Sequence, residues 1–250
     1  MATRPSITSR RELEETAMKS DAEKRPQFAL TYELEHHRRR ASTRRPAAHQ
    51  TEALKKMGDW YERHARSEAT SHRADVPVGG ILVLPTGGGK TFSAVRFLCE
   101  RPLSDGYKVL WLAHTHHLLE QAFQSLVARK GASGKEDHGD EIGRIREPRK
   151  TLRVRVVSST PGHCEVRDIR ADDDFVIATL QTITNAHTRE QPQWKAFLKS
   201  AKQGLVVVFD EAHHSPAPTY HKLIEDLRRE HPRMVLLGLT ATPTYTDERR

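Results

Sequence analysis

"LPTGGGKT", Leu84 to Thr91, ends the apolar run "VGGILVLP" and opens directly onto "KTFSAVRFLCE". A short apolar run bounded by glycine and proline has the pattern of a strand buried on both faces, and the segment after it has the pattern of a helix. Between the two, Thr86 and the glycines Gly87, Gly88 and Gly89 form a turn tight enough to point consecutive backbone N–H groups at phosphate oxygens. The new helix adds the positive end of its dipole. Lys90 then reaches β- and γ-phosphates, and Thr91 can ligate Mg2+. The pattern GxxxxGK[ST] asks for glycine where this chain carries Leu84, so the reading rests on strand, GKT and helix following in that order.

The same alternation continues outward. "YKVLWLA" reads as strand with "HHLLEQAFQSLVARK" as helix, and "DFVIATL" as strand with helical segments to about Ala201. "GLVVVF" reads as strand with "TYHKLIEDLRREH" as helix, and "RMVLLGL" as a last strand. This order predicts an α/β doubly wound domain, a mostly parallel sheet with helices on both faces. "TLRVRVVS" alternates apolar residues with Arg153 and Arg155, which predicts a half-exposed strand near a sheet edge. The polar, Gly-rich stretch from Gly131 to Arg149 is expected to be a surface loop.

Upstream, Ala53, Leu54, Met57, Trp60 and Tyr61 recur at helical spacing, so the globular part is expected to begin near Arg45 and run through residues 45–250. Residues 1–44 are read as a charged arm, partly helical or disordered, whose cluster Arg38, Arg39 and Arg40 could touch a phosphate backbone.

Composition agrees. Hydrophobic residues at 36% suffice for a core, and Lys+Arg 41 against Asp+Glu 33 leaves a net charge of +8, which favours an anionic partner such as nucleic acid. The two cysteines, Cys99 and Cys164, form no CxxC pair and encode no disulfide framework. No apolar stretch resembles a signal peptide or a membrane span, so a cytoplasmic address without a membrane partner is expected.

A second constellation lies in "LVVVFDEAHHSPAPTY", Leu205 to Tyr220. If Lys90 and Thr91 hold phosphates and one side of Mg2+, the metal needs a carboxylate from a neighbouring strand end, and Asp210 is placed to supply it. Glu211 can orient or deprotonate an attacking water. His213 and His214, like His114, His116 and His117, lack the thiolate or carboxylate partners of a zinc site.

With both motifs quoted, the chain resembles the first RecA-like domain of superfamily 2 helicases and translocases of the broad DEAD/DEAH type. The resemblance implies a P-loop ATPase with ATP and Mg2+ as cofactors, Lys90, Asp210 and Glu211 as its catalytic residues, and His213 at the nucleotide. "RRPAAHQTEAL" looks like the upstream element in which Gln50 reads the adenine edge. His114 and Thr115, with Thr179 and Thr182 of "IATLQTI", fall where relatives touch the nucleic-acid backbone. Thr240 and Thr242 of "GLTATPT" correspond to the element that couples ATP state to strand movement.

The spellings "LPTGGGKT" and "DEAHH" are closer to helicases of restriction, repair or antiphage systems than to RNA-remodelling proteins, which favours DNA over RNA. Such motors use a second RecA-like domain, which is expected to be missing from these residues and to come from a partner chain or from the remainder of a split gene. This chain is therefore expected to be the ATP-binding core of a nucleic-acid-dependent motor, with weak hydrolysis alone. A non-motor ATP- or DNA-binding scaffold, or an inactive remnant, is the alternative. A small-molecule phosphotransferase would leave "TATP" and TxxT without a role.

Overall fold

The computed structural model describes residues 28–64, 78–127, 138–211 and 218–242. The strands are β1 (Ala29–Glu33), β2 (Val78–Val83), β3 (Lys108–Ala113), β4 (Thr151–Val157), β5 (Phe175–Thr179), β6 (Leu205–Asp210) and β7 (Met234–Thr240). They form one sheet in the order β1-β4-β5-β3-β6-β7-β2. β1 runs antiparallel to β4, and every other pairing is parallel. The helices are α1 (Leu34–Arg39), α2 (Ala48–His64), α3 (Lys90–Glu100), α4 (His116–Gln124), α5 (Leu180–Thr188), α6 (Pro192–Ser200) and α7 (Pro218–Glu230). Among the described residues no helix is long and apolar enough to cross a membrane.

The strand period of two divides the core. In β3, Val109, Trp111 and Ala113 join one apolar cluster with residues of α2, α3 and α4, whereas Leu110 and Leu112 join a second with α5, α6 and α7. β6 divides in the same way, Val206 and Val208 packing on the side of α3 and Leu205, Val207 and Phe209 on the other. Central strands buried on both faces have to be apolar along their middle, which is why β3, β5 and β6 read as apolar runs with polar residues only at their ends, Lys108, Thr179 and Asp210.

Three expectations are corrected. The segment before Arg45 is no mere arm from Ala29 onward, because β1 pairs along its length with β4 and Leu34 is fully buried. Phe28 and Tyr32 pack against the same core, an apolar alternation hidden in a charged neighbourhood. Residues 1–27 lie outside the described residues. Arg38 is also spoken for, since its guanidinium donates to the backbone carbonyls of Ile145, at 2.9 Å, and Arg149.

β4, secondly, lies next to the sheet edge as expected, but β1 covers its outer side and only Thr151 and Arg153 are partly exposed along it. Its Arg155 is buried and donates through Nε and Nη2 to the two carboxylate oxygens of Asp173, at 2.7 and 3.0 Å. A buried charge is tolerated when paired in this bidentate way, and its letter in the sequence looks like that of a solvated one.

Thirdly, within the supposed surface loop a 3-10 turn at Glu141–Arg144 is packed inside, with Ile142 fully buried. Glu141 accepts from Nε and Nη2 of Arg96 on α3, both at 2.9 Å. This ion pair ties the turn to the helix that opens at Lys90.

Candidate functional site

The chain leaves β2 through Leu84, whose amide donates to the Thr240 carbonyl at 3.2 Å and whose side chain is buried in the core. Position 84 thus still belongs to the sheet, and a glycine there has no conformational task. The turn comes after it: Gly88 N donates to the Pro85 carbonyl at 2.8 Å, and Gly87 and Gly89 hold φ of 76° and 83°. Those values favour glycine. A Cβ on Gly89 would lie 2.4 Å from Gln50 Nε2, and one on Gly88 would lie 2.9 Å from the Pro85 oxygen. Lys90 and Thr91 are the first residues of α3, at the positive end of its dipole.

Opposite stands the end of β6. Asp210 shares the parity of Val206 and Val208, so the register of the strand turns it toward the side of α3. It is 3% exposed, and its Oδ2 is buried without a hydrogen-bond partner of normal geometry among the described residues. Burial, reinforced by the neighbouring Glu211 carboxylate and opposed by Lys90, pushes the Asp210 carboxyl up to about 6. Glu211 has φ of 55°, an uncommon backbone for a residue with a side chain, and its Oε1 lies 3.5 Å from Lys90 Nζ. Strain of that kind concentrates where a side chain must be aimed.

Gln50 sits on the glycine turn itself. Its Nε2 donates to the Gly88 carbonyl at 2.9 Å, and its Oε1 accepts from Ala47 N at 3.0 Å. His49 Nε2 lies 3.1 Å from the same Gly88 carbonyl. The amide is therefore partly engaged with the chain rather than wholly available to a base edge.

The remaining residues singled out in the sequence share the same rim, because parallel strands present their carboxyl ends together. His114 follows β3, with its ring 6.1 Å from that of Tyr220, and exposed Thr115 is the N-cap of α4. Thr179 ends β5 and caps α5: its Oγ1 accepts from Thr182 N at 3.3 Å and lies 2.6 Å from Thr182 Oγ1. Thr240 ends β7, and its Oγ1 donates to the Thr242 carbonyl at 3.1 Å while accepting from Thr242 N at 3.2 Å. Strand order separates the two sets, with β3 and β5 on one side of β6 and β7 and β2 on the other. His213 lies outside the described residues. Sequence reasoning missed Arg96, Glu141 and Phe92, which support the glycine turn from behind; no spacing rule links positions so far apart.

A profile of the type III restriction enzyme res subunit matches residues 44–245. The chain belongs to this family. Its fold is the RecA-like ATP-binding domain of superfamily 2 helicases. The res-subunit domain is also similar to the protein named DNA 3'-5' helicase Rad25 of Haloarcula marismortui, 28% identical over 186 residues, which is 74% of this chain and 22% of that protein. Among solved structures it resembles the Hef helicase domain of Pyrococcus furiosus, at 23% identity and TM-score 0.46, over 76% of this chain and 35% of the other. It also resembles the helicase MrfA bound to DNA and AMPPNP, at 15% identity and TM-score 0.47, over 93% of this chain and 32% of the other. The res-subunit domain thus spans about a fifth of the Rad25 relative and about a third of each of these structures.

Proposed function

We propose that this domain binds ATP with Mg2+ and is the hydrolytic half of a nucleic-acid-dependent motor acting on DNA. The observation that carries the reading is the Asp210 carboxyl, 3% exposed across from Lys90 and the glycine turn, whose Oδ2 has no hydrogen-bond partner of normal geometry among the described residues. A carboxyl oxygen left unsatisfied in a dry site costs roughly 1–3 kcal/mol unless something completes it. The donor set fits a hard divalent cation, and the glycine turn is a cradle that a Cβ would fill. The residues to hold Mg2+ are Asp210 and the Thr91 hydroxyl.

When bound, Mg2+ would neutralise charge on the β- and γ-phosphate oxygens. The chain does the rest. Backbone N–H groups of Thr86, Gly87, Gly89 and Lys90 and the dipole of α3 receive phosphate oxygens, while Lys90 exchanges the Glu211 carboxylate for a phosphate. Glu211, released and aimed by its backbone, accepts the proton of the attacking water. Thr240 and Thr242 are the proposed relay of ATP state to the strand-binding rim, a reading supported by the hydrogen bond from Leu84 N, at the start of the turn, to the Thr240 carbonyl.

DNA is favoured by the net charge of +8 and by the DNA helicase name of the Rad25 relative. His114, Thr115, Thr179 and Thr182 are the proposed backbone contacts. Turnover by this domain alone is expected to be weak, because a second RecA-like domain, from a partner chain or further sequence, would bring arginine fingers worth about 10^3 to 10^5 in rate.

The test is Mg2+-dependent binding of a fluorescent ATP analogue by the purified chain and by Lys90→Ala, with turnover followed with single- and double-stranded DNA. Binding that is lost in the variant, with little turnover, supports a half-motor. Absence of binding in both sinks the reading and leaves a scaffold or remnant.

A further inference from the structure

Two buried polar atoms beside the site lack a hydrogen-bond partner of normal geometry among the described residues, and one is a donor while the other is an acceptor. The donor is Trp111 Nε1, on β3, and the acceptor is Asp210 Oδ2, at the end of β6. Trp111 is wholly buried and Asp210 nearly so. A buried indole N–H ordinarily finds a partner, so an orphan of this kind calls for a reason.

The register of the sheet brings the two groups together. β3 and β6 pair in parallel, with Trp111 opposite Val208. Both side chains lie on the face that α2, α3 and α4 cover, and Asp210, two residues beyond Val208, returns to that face. The indole therefore stands diagonally across from the carboxyl, a separation that a large aromatic side chain spans. Its ring packs against Phe175 of β5, with centroids 6.3 Å apart. Burial and the Glu211 carboxylate raise the Asp210 carboxyl, whereas Lys90, the Glu211 backbone N–H and the Trp111 indole N–H favour its ionised form.

Core packing alone asks only for an apolar side chain at this position, as Val109 and Ala113 supply on the same face. Tryptophan adds a neutral group that donates and never accepts, so it can hold a carboxylate oxygen without competing for a cation. Lys90 is a poorer fixed partner for Asp210, because its Nζ lies 3.5 Å from Glu211 Oε1 and is assigned to phosphate.

We propose that Trp111 is a positioning residue for the metal ligand: its indole N–H holds one oxygen of the Asp210 carboxylate and leaves the other for the divalent cation that accompanies ATP. This rests on the nucleotide reading above. Outer hydrogen bonds of this kind orient a ligating group, and their loss costs about 10- to 100-fold in metal affinity.

The experiment compares wild type, Trp111→Phe, which keeps an aromatic ring and removes the N–H, and Asp210→Asn. Binding of the fluorescent ATP analogue is titrated against Mg2+, with thermal midpoints as a check on folding. Trp111→Phe is expected to need roughly tenfold more Mg2+ for half-maximal binding, while binding without Mg2+ changes less than about twofold. A residue that only fills the core would weaken both alike, and that result overturns the proposal. The indole N–H resonances of isotope-labelled protein give a second readout without metal or nucleotide. The chain has three tryptophans, and the resonance missing from Trp111→Phe is that of Trp111. Asp210→Asn is expected to displace this resonance and to leave those of Trp60 and Trp194 in place. An unmoved Trp111 resonance overturns the proposal even where Trp111→Phe folds too poorly for titration; a displaced one then sustains it. If wild type binds the analogue with Mg2+ and a folded Trp111→Phe has the same Mg2+ requirement, this proposal fails and the nucleotide reading stands. If wild type shows no Mg2+-dependent binding, both fail.

Discussion

Lys90 Nζ lies 3.5 Å from Glu211 Oε1, so the lysine of the glycine turn and the carboxylate after β6 neutralise one another across the site. Their side chains are 10% and 25% exposed, enclosed enough for the pairing to matter more than a surface ion pair does. Glu211→Gln removes the negative partner and the proton acceptor together. In an assembly carrying both RecA-like domains, ATP binding is expected to persist or tighten while the hydrolysis rate falls by about 10^2 to 10^4. Single-turnover kinetics beside equilibrium binding separate the two, and normal turnover in the variant would remove Glu211 from its assigned role.

Asp210 predicts a pH signature. Its folded carboxyl is raised from 3.8 to about 6, so ionising it opposes folding: the penalty is full above pH 6, shrinks as pH falls and is absent below the unfolded value. Asp210→Asn is therefore expected to be more stable than wild type at pH 7.5 by up to about 3 kcal/mol, and by clearly less at pH 5. Urea unfolding of both proteins at the two pH values, without Mg2+ or nucleotide, measures the difference. A gap that grows on acidification would contradict the assigned direction.

The pair Arg96–Glu141 predicts a structural phenotype in a stretch that looks like loop. Both side chains are nearly inaccessible, at 3% and 8%, and removing one partner strands the other charge. Glu141→Ala is expected to cost about 3–5 kcal/mol in denaturant unfolding. A loss under about 1 kcal/mol would mean that the turn at Glu141–Arg144 contributes little.

Thr179 serves the fold before it serves any strand. Its Oγ1 caps α5 at Thr182 N, and cap removal costs about 1 kcal/mol. Thr179→Ser is expected to keep stability and DNA affinity, whereas Thr179→Ala loses stability whether or not DNA is bound. If titrations with single-stranded DNA show the Ala variant destabilised with unchanged affinity, Thr179 is a cap alone.

The fold class was legible because a central parallel strand has no solvent face. "VLWLA", "FVIA" and "LVVVF" are apolar without a break, and the structure buries every residue of β3, β5 and β6. The two chemical motifs were legible for a related reason. A phosphate-binding turn needs glycine for its backbone, and a strand-end acid is conspicuous after a run of valines.

The edges of the molecule were not legible, since pairing there joins residues distant in sequence. Nothing local in "FALTYEL" says that it will pair with "TLRVRVV", and nothing in the letter of Arg155 or Glu141 says that its charge will be buried against Asp173 or Arg96. The register of β6 against its neighbours is likewise what turns Asp210 toward Lys90, and the packing of a distant helix is what places Gln50 on Gly88.

From the sequence alone come the order of strands and helices, the glycine turn with its lysine, and the acidic pair that ends a buried strand. Those depend on local backbone freedom and on the exclusion of charge from a two-faced core, both of which act residue by residue. Strand order, the burial of Asp210 opposite Lys90, and the buried Arg96–Glu141 pair were decided only by the tertiary structure, because each needs groups brought together across the fold, where desolvation sets the strength of every charge.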